Sequence, residues 1–362
     1  MALIAAMSIA LGFFLVRPAL QQQLATQSAK TSFGRLKLNV LVLGYQDEEA
    51  VTDTMILLHL DVARRLATLV SVPRDTWVKI PGHGYDKINS AYAYGGSELS
   101  ARAVSALMGG IPIDATVALQ PEDAAAIVDA MGGLSINVDE DMDYDDNSQS
   151  LHIHLRKGEQ HLSGTQVAGY IRFRHDPASD FGRMKRQQQV VKLMMDQLSE
   201  PQNWPKLPKV LGLAHKRAKT TLRDGQLLSL LTIYRNVPDD NVRSFTLPSK
   251  AGWVGDASVV FVDQRWAKLI GSLLFGRGEP PQDEVLVANA SGNAALDKTL
   301  IGALRGAGWN VPTFVDERVK RKSLVVGATP AAAALAKTFS TAIRSGTKTA
   351  LVVGADMAPD AE

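Results

Sequence analysis

Leu36-Lys-Leu-Asn-Val-Leu-Val-Leu-Gly44 is an almost unbroken aliphatic run that reads as a buried strand. Two further apolar runs follow, Thr54 to Leu60 and Leu66 to Val72, with Asp61-Val-Ala-Arg-Arg65 as a tight connection and Pro73 ending the third. Beyond them the period changes. Ser97 to Met108 is an amphipathic helix stopped by Gly109-Gly110 and Pro112. Ile113 to Leu119 is strand-like, Pro121 to Met131 is a helix opened by proline and stopped by Gly132-Gly133, and Leu134 to Val138 is a strand. Alternating strands and helices predict an α/β (α+β layered) domain with a central mixed sheet flanked by helices.

The chain has 362 residues, enough for two domains. Hydrophobic content of 46% and charged content of 21% are ordinary for a globular protein. A net charge of +2 does not point to a general nucleic-acid binder, and no helix-turn-helix pattern or basic recognition helix is evident, so no nucleic-acid partner is expected. There is no cysteine, which excludes disulfides and thiol chemistry.

Residues Ala2 to Val16 carry no charge and begin directly after Met1, so residues 1–20 are expected to form a signal anchor. The nearest positive charges, Arg17 and Lys30, follow the run, which by the positive-inside rule would set the body of the chain in the cytoplasm. A polar linker is expected over 21–35. Pro201 to Pro208 reads as a break, and helices over Asp224 to Tyr234 and Gln264 to Phe275 extend the first domain, 36–275. Residues 276–282 read as a second linker. Alternating elements over 283–355 then predict a small separate α/β domain with a frayed tail from 356.

The chemistry concentrates in Tyr170-Ile-Arg-Phe-Arg-His-Asp176 and Ser179-Asp-Phe-Gly-Arg-Met-Lys-Arg-Gln-Gln188. The first stretch alternates, so on a strand Arg172 and Arg174 share one face. The second has helical spacing that gathers Arg183, Arg186 and Gln187 on one side. Four guanidiniums so placed suit a polyanion, above all phosphate, because the planar fork matches its oxygens. Asp53 sits just before one strand and Arg74 just after the next, so an antiparallel hairpin brings them together. A carboxylate there suits Mg²⁺. Lys87 and Asn89 add a cation and an amide in a loop entering a helix. The acidic run Asp139 to Asp146 reads as a solvated loop rather than a Ca²⁺ site, and His152 and His154 as surface residues of a strand.

Nine motifs in register cover residues 36 to about 198: Leu41-Val-Leu-Gly44; Thr52-Asp-Thr-Met-Ile56; Ser71-Val-Pro-Arg-Asp-Thr76; Lys87-Ile-Asn-Ser-Ala-Tyr92 with Gly95-Gly96; Gly109-Gly-Ile-Pro-Ile-Asp114; Val128-Asp-Ala-Met-Gly-Gly133; Leu162-Ser-Gly164; Tyr170-Ile-Arg-Phe-Arg174; and Asp180-Phe-Gly-Arg183 with Arg186-Gln-Gln188. With them the chain resembles the LytR-CpsA-Psr family. Val285-Leu-Val-Ala-Asn-Ala-Ser-Gly292 and the Gly-Trp-Asn-Val step at Gly308 are similar to the C-terminal domain often appended to it.

The resemblance implies a membrane-anchored phosphotransferase acting outside the cytoplasmic membrane. Such an enzyme moves a glycopolymer, as its sugar phosphate, from a polyprenyl-pyrophosphate carrier to a hydroxyl of peptidoglycan. It implies an apolar cleft for the polyprenyl chain and Mg²⁺ at Asp53. Arg74, Arg172, Arg174, Arg183, Arg186, Gln187 and Gln188 would bind pyrophosphate, with Lys87 and Asn89 beside them and Asp180 as a further acidic site residue. The family's Gly-x-Asp after the first strand is here Gly44-Tyr-Gln-Asp47, so Asp47, the implied second metal ligand, stands one residue late. The same residues would also serve a polyprenyl-pyrophosphate pyrophosphatase, or a non-catalytic lipid-binding or regulatory protein.

Overall fold

The computed structural model describes residues 19–46, 51–147, 151–174, 179–275, 283–293, 296–316 and 318–357. The apolar run to Val16, Asp47, and the linker 276–282 lie outside them. No helix among the described residues is long and apolar enough to cross a membrane.

A helix over 19–33 (α1) leads into β1 (Lys37–Gln46), β2 (Val51–Asp61) and β3 (Leu66–Ser71), an antiparallel meander. The hairpin of β4 (Trp77–Ile80) and β5 (Gly84–Lys87) precedes α2 (Ser90–Leu107). Next, β6 (Ala115–Leu119) pairs parallel to β1, and α3 (Pro121–Met131) starts at its end. Two antiparallel pairs follow: β7 (Leu134–Val138) with β10 (Gly158–Leu162), and between them β8 (Met142–Asp146) with β9 (Leu151–Leu155). The expected acidic loop is therefore largely a strand, on which Asp145 and Asp143 meet His152 and His154 at 2.5 Å.

Helices α4 (Gly164–Arg172), α5 (Ser179–Ser199) and α6 (Leu207–Arg217) come next. After them β11 (Lys219–Thr220) joins β6, α7 (Asp224–Arg235) crosses back, and β12 (Val242–Thr246) pairs parallel to β3. The six-stranded mixed sheet has the order β11-β6-β1-β2-β3-β12. The hairpin β13 (Ser249–Val254) and β14 (Ala257–Val262) and helix α8 (Gln264–Phe275) complete this unit. A second, five-stranded sheet is built from β15 (Val285–Ala290), β16 (Thr313–Asp316), β17 (Leu324–Val326), β18 (Ala342–Arg344) and β19 (Thr349–Gly354), with α9 (Leu296–Gly306) and α10 (Pro330–Thr338) against it.

Two further expectations change. Residues 21–35 are not a linker: α1 buries Ala25 and Ala29 completely against Leu38, Val40 and Ile233. Their four-residue spacing puts both methyls on one face, and small side chains let the helix approach the sheet closely. Tyr170 to Arg172 are not a strand but the last turn of α4. Ser163 caps that helix, accepting from the Gln166 amide while the Gln166 side chain accepts from the Ser163 backbone. This capping box and the buried pair Val167 and Tyr170 outweigh the local alternation.

The first sheet is covered on both faces. Leu38 and Val40 of β1 face α1 and α7, whereas Leu41 and Leu43 face α2 and α8 with the fully buried Trp266. Each such aliphatic side chain contributes about 1.5–3 kcal/mol by leaving water. In α2 the backbone breaks at Gly95 and Gly96, whose φ of +60° at Gly96 favours glycine, so the regular helix begins where the apolar period does, at Ser97. The second sheet has its own strands, but its core is continuous with the first. Side-chain-free Gly302 and Gly306 seat α9 on the first sheet: a Cβ there would stand 2.7 Å from Phe245 and 2.5 Å from Thr68.

One buried polar group sets an acid limit on the fold. His59 of β2 is fully buried, with Nδ1 3.1 Å from Asn39 Oδ1 and Nε2 without a partner. Burial pushes its pKa from 6.5 down to about 3, the nearby Asp61 only partly opposing this. The unfolded chain takes up this proton below pH 6.5 and the folded chain does not until about pH 3. Stability is therefore expected to fall with acidification across that window, by about 1.4 kcal/mol per pH unit from this group. Urea unfolding of the wild type and His59→Gln across pH 3–7 checks it. Parallel pH profiles for the two proteins would assign the acid sensitivity elsewhere.

Candidate functional site

Asp53 owes its position to a register shift. Gly44 pairs with Thr54 and Tyr45 with Thr52, so Asp53 is the extra residue of a β-bulge between β1 and β2. A bulge breaks the strict alternation of faces and re-aims one side chain. The pocket it enters exists because residue 44 has no Cβ. One built there would stand 2.9 Å from Asp53 Oδ1 and from Thr54 Oγ1. Thr54 Oγ1 donates to Asp53 Oδ1 at 3.0 Å, and Gln46 Nε2 lies 3.5 Å from Oδ2.

Burial raises the Asp53 pKa; the Thr54 hydrogen bond and the charges of Arg74, Arg172 and Arg174 oppose it without overcoming it. Asp53 and Arg74, expected to approach each other, are close enough for the Arg74 charge to act on Asp53, as do those of Arg172 and Arg174. The β2–β3 register ends with Ile56 opposite Ser71, and Val72 N bonds Met55 O, so the chain leaves β3 at the end of β2 that carries Asp53.

Arg74 lies in the turn after β3, which is tied to the β5–α2 junction by Asn89 N to Arg74 O at 3.1 Å and Ile88 N to Thr76 O at 2.8 Å. Asp75 draws two cations together there, with Lys87 Nζ at 2.9 Å and Arg74 Nε at 3.4 Å. The Arg74 contact is within ion-pair range but out of line for a hydrogen bond, so its buried Nε keeps an unused donor. Asn89 Oδ1 is buried without a partner.

Arg172, at the end of α4, donates from Nη2 to Glu122 Oε1 in the first turn of α3 at 2.7 Å, while its buried Nε has no protein partner. Buried donors without acceptors are costly, and an incoming oxyanion satisfies them. α3 and α4 hold this arrangement by close contact. Gly164 lies against the α3 backbone, where a Cβ would stand 2.0 Å from Ala125 O.

Asp53 and Arg172 line one end of a cavity of ≈ 90 Å³ between the sheet and α3, α4 and α5. Its walls are otherwise largely aliphatic, with Val42, Leu119, Ile171, Val190, Val191 and Met194. Gln187 also lines it.

The other residues of α5 divide. Gln188 turns away and donates to Phe245 O at 2.9 Å, so the structure does not bring it to the phosphate-facing side. Arg186 is buried, donates to Phe173 O, and lies over the rings of Tyr170 and Phe173 at 5.9 and 5.6 Å. It clamps the end of α4 to α5 rather than facing the cavity. Arg183 is buried on the same helix. Arg174 is exposed. Asp180 is in the first turn of α5.

Gly44, Asp75 and Glu122 were not among the expected site residues. Gly44 alone left a local signal, a glycine closing a buried strand. Asp75 and Glu122 act through partners that only the fold supplies.

Among the described residues no group of three or more His, Cys, Asp or Glu could hold a metal ion. One buried carboxylate still fits Mg²⁺, which commonly takes one or two carboxylates and completes its shell from phosphate and water. Asp53, raised in pKa by burial and set against Gly44, is a carboxylate of the kind that would serve.

Comparison with known proteins places this arrangement. The chain is 34% identical over 228 residues to the "Regulatory protein MsrR" of Staphylococcus aureus, covering 59% of this chain and 65% of that protein. It is 28% identical over 235 residues to the "Polyisoprenyl-teichoic acid--peptidoglycan teichoic acid transferase TagV" of Bacillus subtilis, covering 62% and 60%. The match thus spans less than two thirds of each relative. The crystal structure of B. subtilis TagV superposes with a TM-score of 0.59 at 25% identity, over 66% of this chain and 95% of that one. TagT with bound octaprenyl pyrophosphate shares the fold, with a TM-score of 0.52 at 23% identity over 67% and 90%. The LytR_cpsA_psr family model matches residues 18–271, which contain the bulged Asp53, the arginines around it and the apolar cavity. The chain belongs to the LytR-CpsA-Psr family.

Proposed function

We propose that this protein is a cell-envelope phosphotransferase that moves a glycopolymer, as its sugar phosphate, from a polyprenyl-pyrophosphate carrier to a peptidoglycan hydroxyl. The observation that carries this reading is that Asp53 and Arg172 line an otherwise largely aliphatic cavity, while the charges of Arg74 and Arg174 also act on Asp53. A charged headgroup and an apolar tail on one ligand match that division. The tail would enter between α5 and the sheet, where Met194 and Val191 must give way; the unbranched methionine does so readily.

The hydroxyl oxygen would attack the glycan-bearing phosphorus. The bond to the bridging oxygen breaks, polyprenyl phosphate leaves, and the hydroxyl proton passes to solvent or a nearby base. Negative charge grows on the bridging oxygen and persists on the equatorial oxygens, so most of the catalysis is charge stabilisation and positioning. The buried Nε groups of Arg172 and Arg74 supply unused donors, and Lys87, held by Asp75, adds a cation. Asp53 would hold Mg²⁺, which when bound neutralises the pyrophosphate. Asp180 is proposed as a further acidic group of the site.

Membrane attachment belongs to the same proposal. α1 exposes Leu20 and Leu24, and Leu24 lines one groove with the exposed Trp204, apolar surface suited to a membrane. On the family resemblance, and against the charge bias of Arg17 and Lys30, we place the body outside the cytoplasmic membrane.

The test uses purified full chain with a polyprenyl-pyrophosphate-linked glycan, peptidoglycan oligomers and Mg²⁺. Polyprenyl phosphate and glycan phosphate covalently joined to peptidoglycan are the expected products. Free glycan phosphate would make it a pyrophosphatase. Lipid binding without cleavage would make it a binding or regulatory module, the reading that MsrR's name favours.

A further inference from the structure

A second cavity, of ≈ 440 Å³, lies on the far side of the first sheet from the Asp53 site. It is lined by Arg64 from the β2–β3 turn, Arg243 of β12 and Arg305 of α9, with Asn241, Trp309 and Asn310. Segments distant in sequence converge there because α9 sits on β12 and β3 through Gly302 and Gly306. Gly308, with φ +86°, closes the helix and leaves room for Arg64: a Cβ on it would stand 2.5 Å from Arg64 Cδ.

The three cations are unevenly neutralised. Arg64 pairs with Asp61 at 2.5 Å, a carboxylate already shared with Lys37 at 3.9 Å. Arg305 donates from Nε and Nη2 to Val311 O, at 3.0 and 2.6 Å. Arg243 donates from Nη1 to Val242 O at 3.1 Å. Its pKa is lowered by burial and by the charge of Arg305, with Asp240 alone opposing. Two guanidiniums therefore repel each other in a partly buried cleft, which costs stability, and their hydrogen bonds go to backbone carbonyls, which bring no counter-charge. An oxyanion between them removes the repulsion and uses the remaining N–H groups of both forks.

We propose that this cleft between the first sheet and α9 with its following loop is a binding site for a phosphoryl group, free or carried on a sugar, with Arg243 and Arg305 as its principal ligands and Arg64 completing it. Asn241 and Asn310 are placed to meet sugar hydroxyls. The site is independent of the transferase reading, since none of its residues approaches Asp53.

The experiment is calorimetric titration of the full chain with inorganic phosphate, and separately with glucose 6-phosphate and glucose, at matched ionic strength. The wild type and the variants Arg243→Met and Arg305→Met are compared. Each variant is expected to bind phosphate at this site about tenfold more weakly or worse, while polyprenyl phosphate release in the transferase assay is unchanged. Tighter binding of glucose 6-phosphate than of phosphate assigns a sugar-borne group; equal binding assigns free phosphate. Arg243→Met is also expected to melt higher than wild type without phosphate, because the repulsion is gone. Phosphate binding identical in wild type and both variants overturns the proposal. So does a lowered melting temperature in both variants with binding intact, which would make the arginines structural.

Discussion

Asp53→Asn is expected to lower polyprenyl phosphate release by roughly 10²–10³-fold while raising the melting temperature at pH 7. Both effects come from one fact: burial raises the Asp53 pKa more than Thr54 and the three arginines lower it. For a carboxyl whose folded pKa is raised, the favourable contribution is complete below its ordinary value of 3.8 and is lost as pH rises through the folded value. Above that folded value the wild type carries the cost of a partly buried anion. The amide keeps the shape and a carbonyl oxygen for the Thr54 hydroxyl, but no charge. The stability gain should disappear below pH 3.8, where wild type and variant are both neutral. Melting curves at pH 7 and pH 3.5 with an activity assay decide the matter. A variant that is less stable at pH 7 and fully active would make Asp53 a structural counter-ion to its arginines.

Arg172→Lys is expected to lose activity about 10²-fold with little change in stability. The pair with Glu122 is a partly exposed one, with 68% of the Glu122 side chain accessible, so its net stabilisation is at most about 1 kcal/mol. The functional loss is larger because an ammonium cannot present both a donor toward Glu122 and the buried Nε toward a phosphate. Glu122→Gln, which frees Arg172 without removing it, should change kcat by less than Arg172→Lys does. Equal losses in the two variants would mean that orientation by Glu122, not the guanidinium fork, is what matters. Steady-state kinetics beside urea unfolding separate these cases.

Much of the molecule is local in origin. The strands β1 to β3, the proline-opened and glycine-closed α3, and the regular helix starting at Ser97 follow from apolar period and from residues that restrict the backbone. The charged residues of the site could be named because each ends or begins such an element. Asp53 and Arg74 could be brought together from one expectation, that their strands pair antiparallel.

What the sequence does not carry is decided by contacts between distant segments. Tyr170-Ile-Arg-Phe-Arg174 alternates as well as any strand; it is a helix to Arg172 because Ser163 and Gln166 cap it and α3 receives Gly164. Gln187 and Gln188 are neighbours in the chain, yet one lines the cavity and the other bonds to β12, since successive helix residues point about 100° apart. α1 looks like a polar linker until the sheet offers a surface for Ala25 and Ala29. The bulge at Asp53 depends on a one-residue mismatch between two strands, and the cleft of Arg243 and Arg305 on how α9 lies across the first sheet. Sequence by itself determined the elements and the inventory of charge, because backbone preference and period act within a few residues. Tertiary structure decided which charges face which, because burial and register arise only when separate segments share a surface.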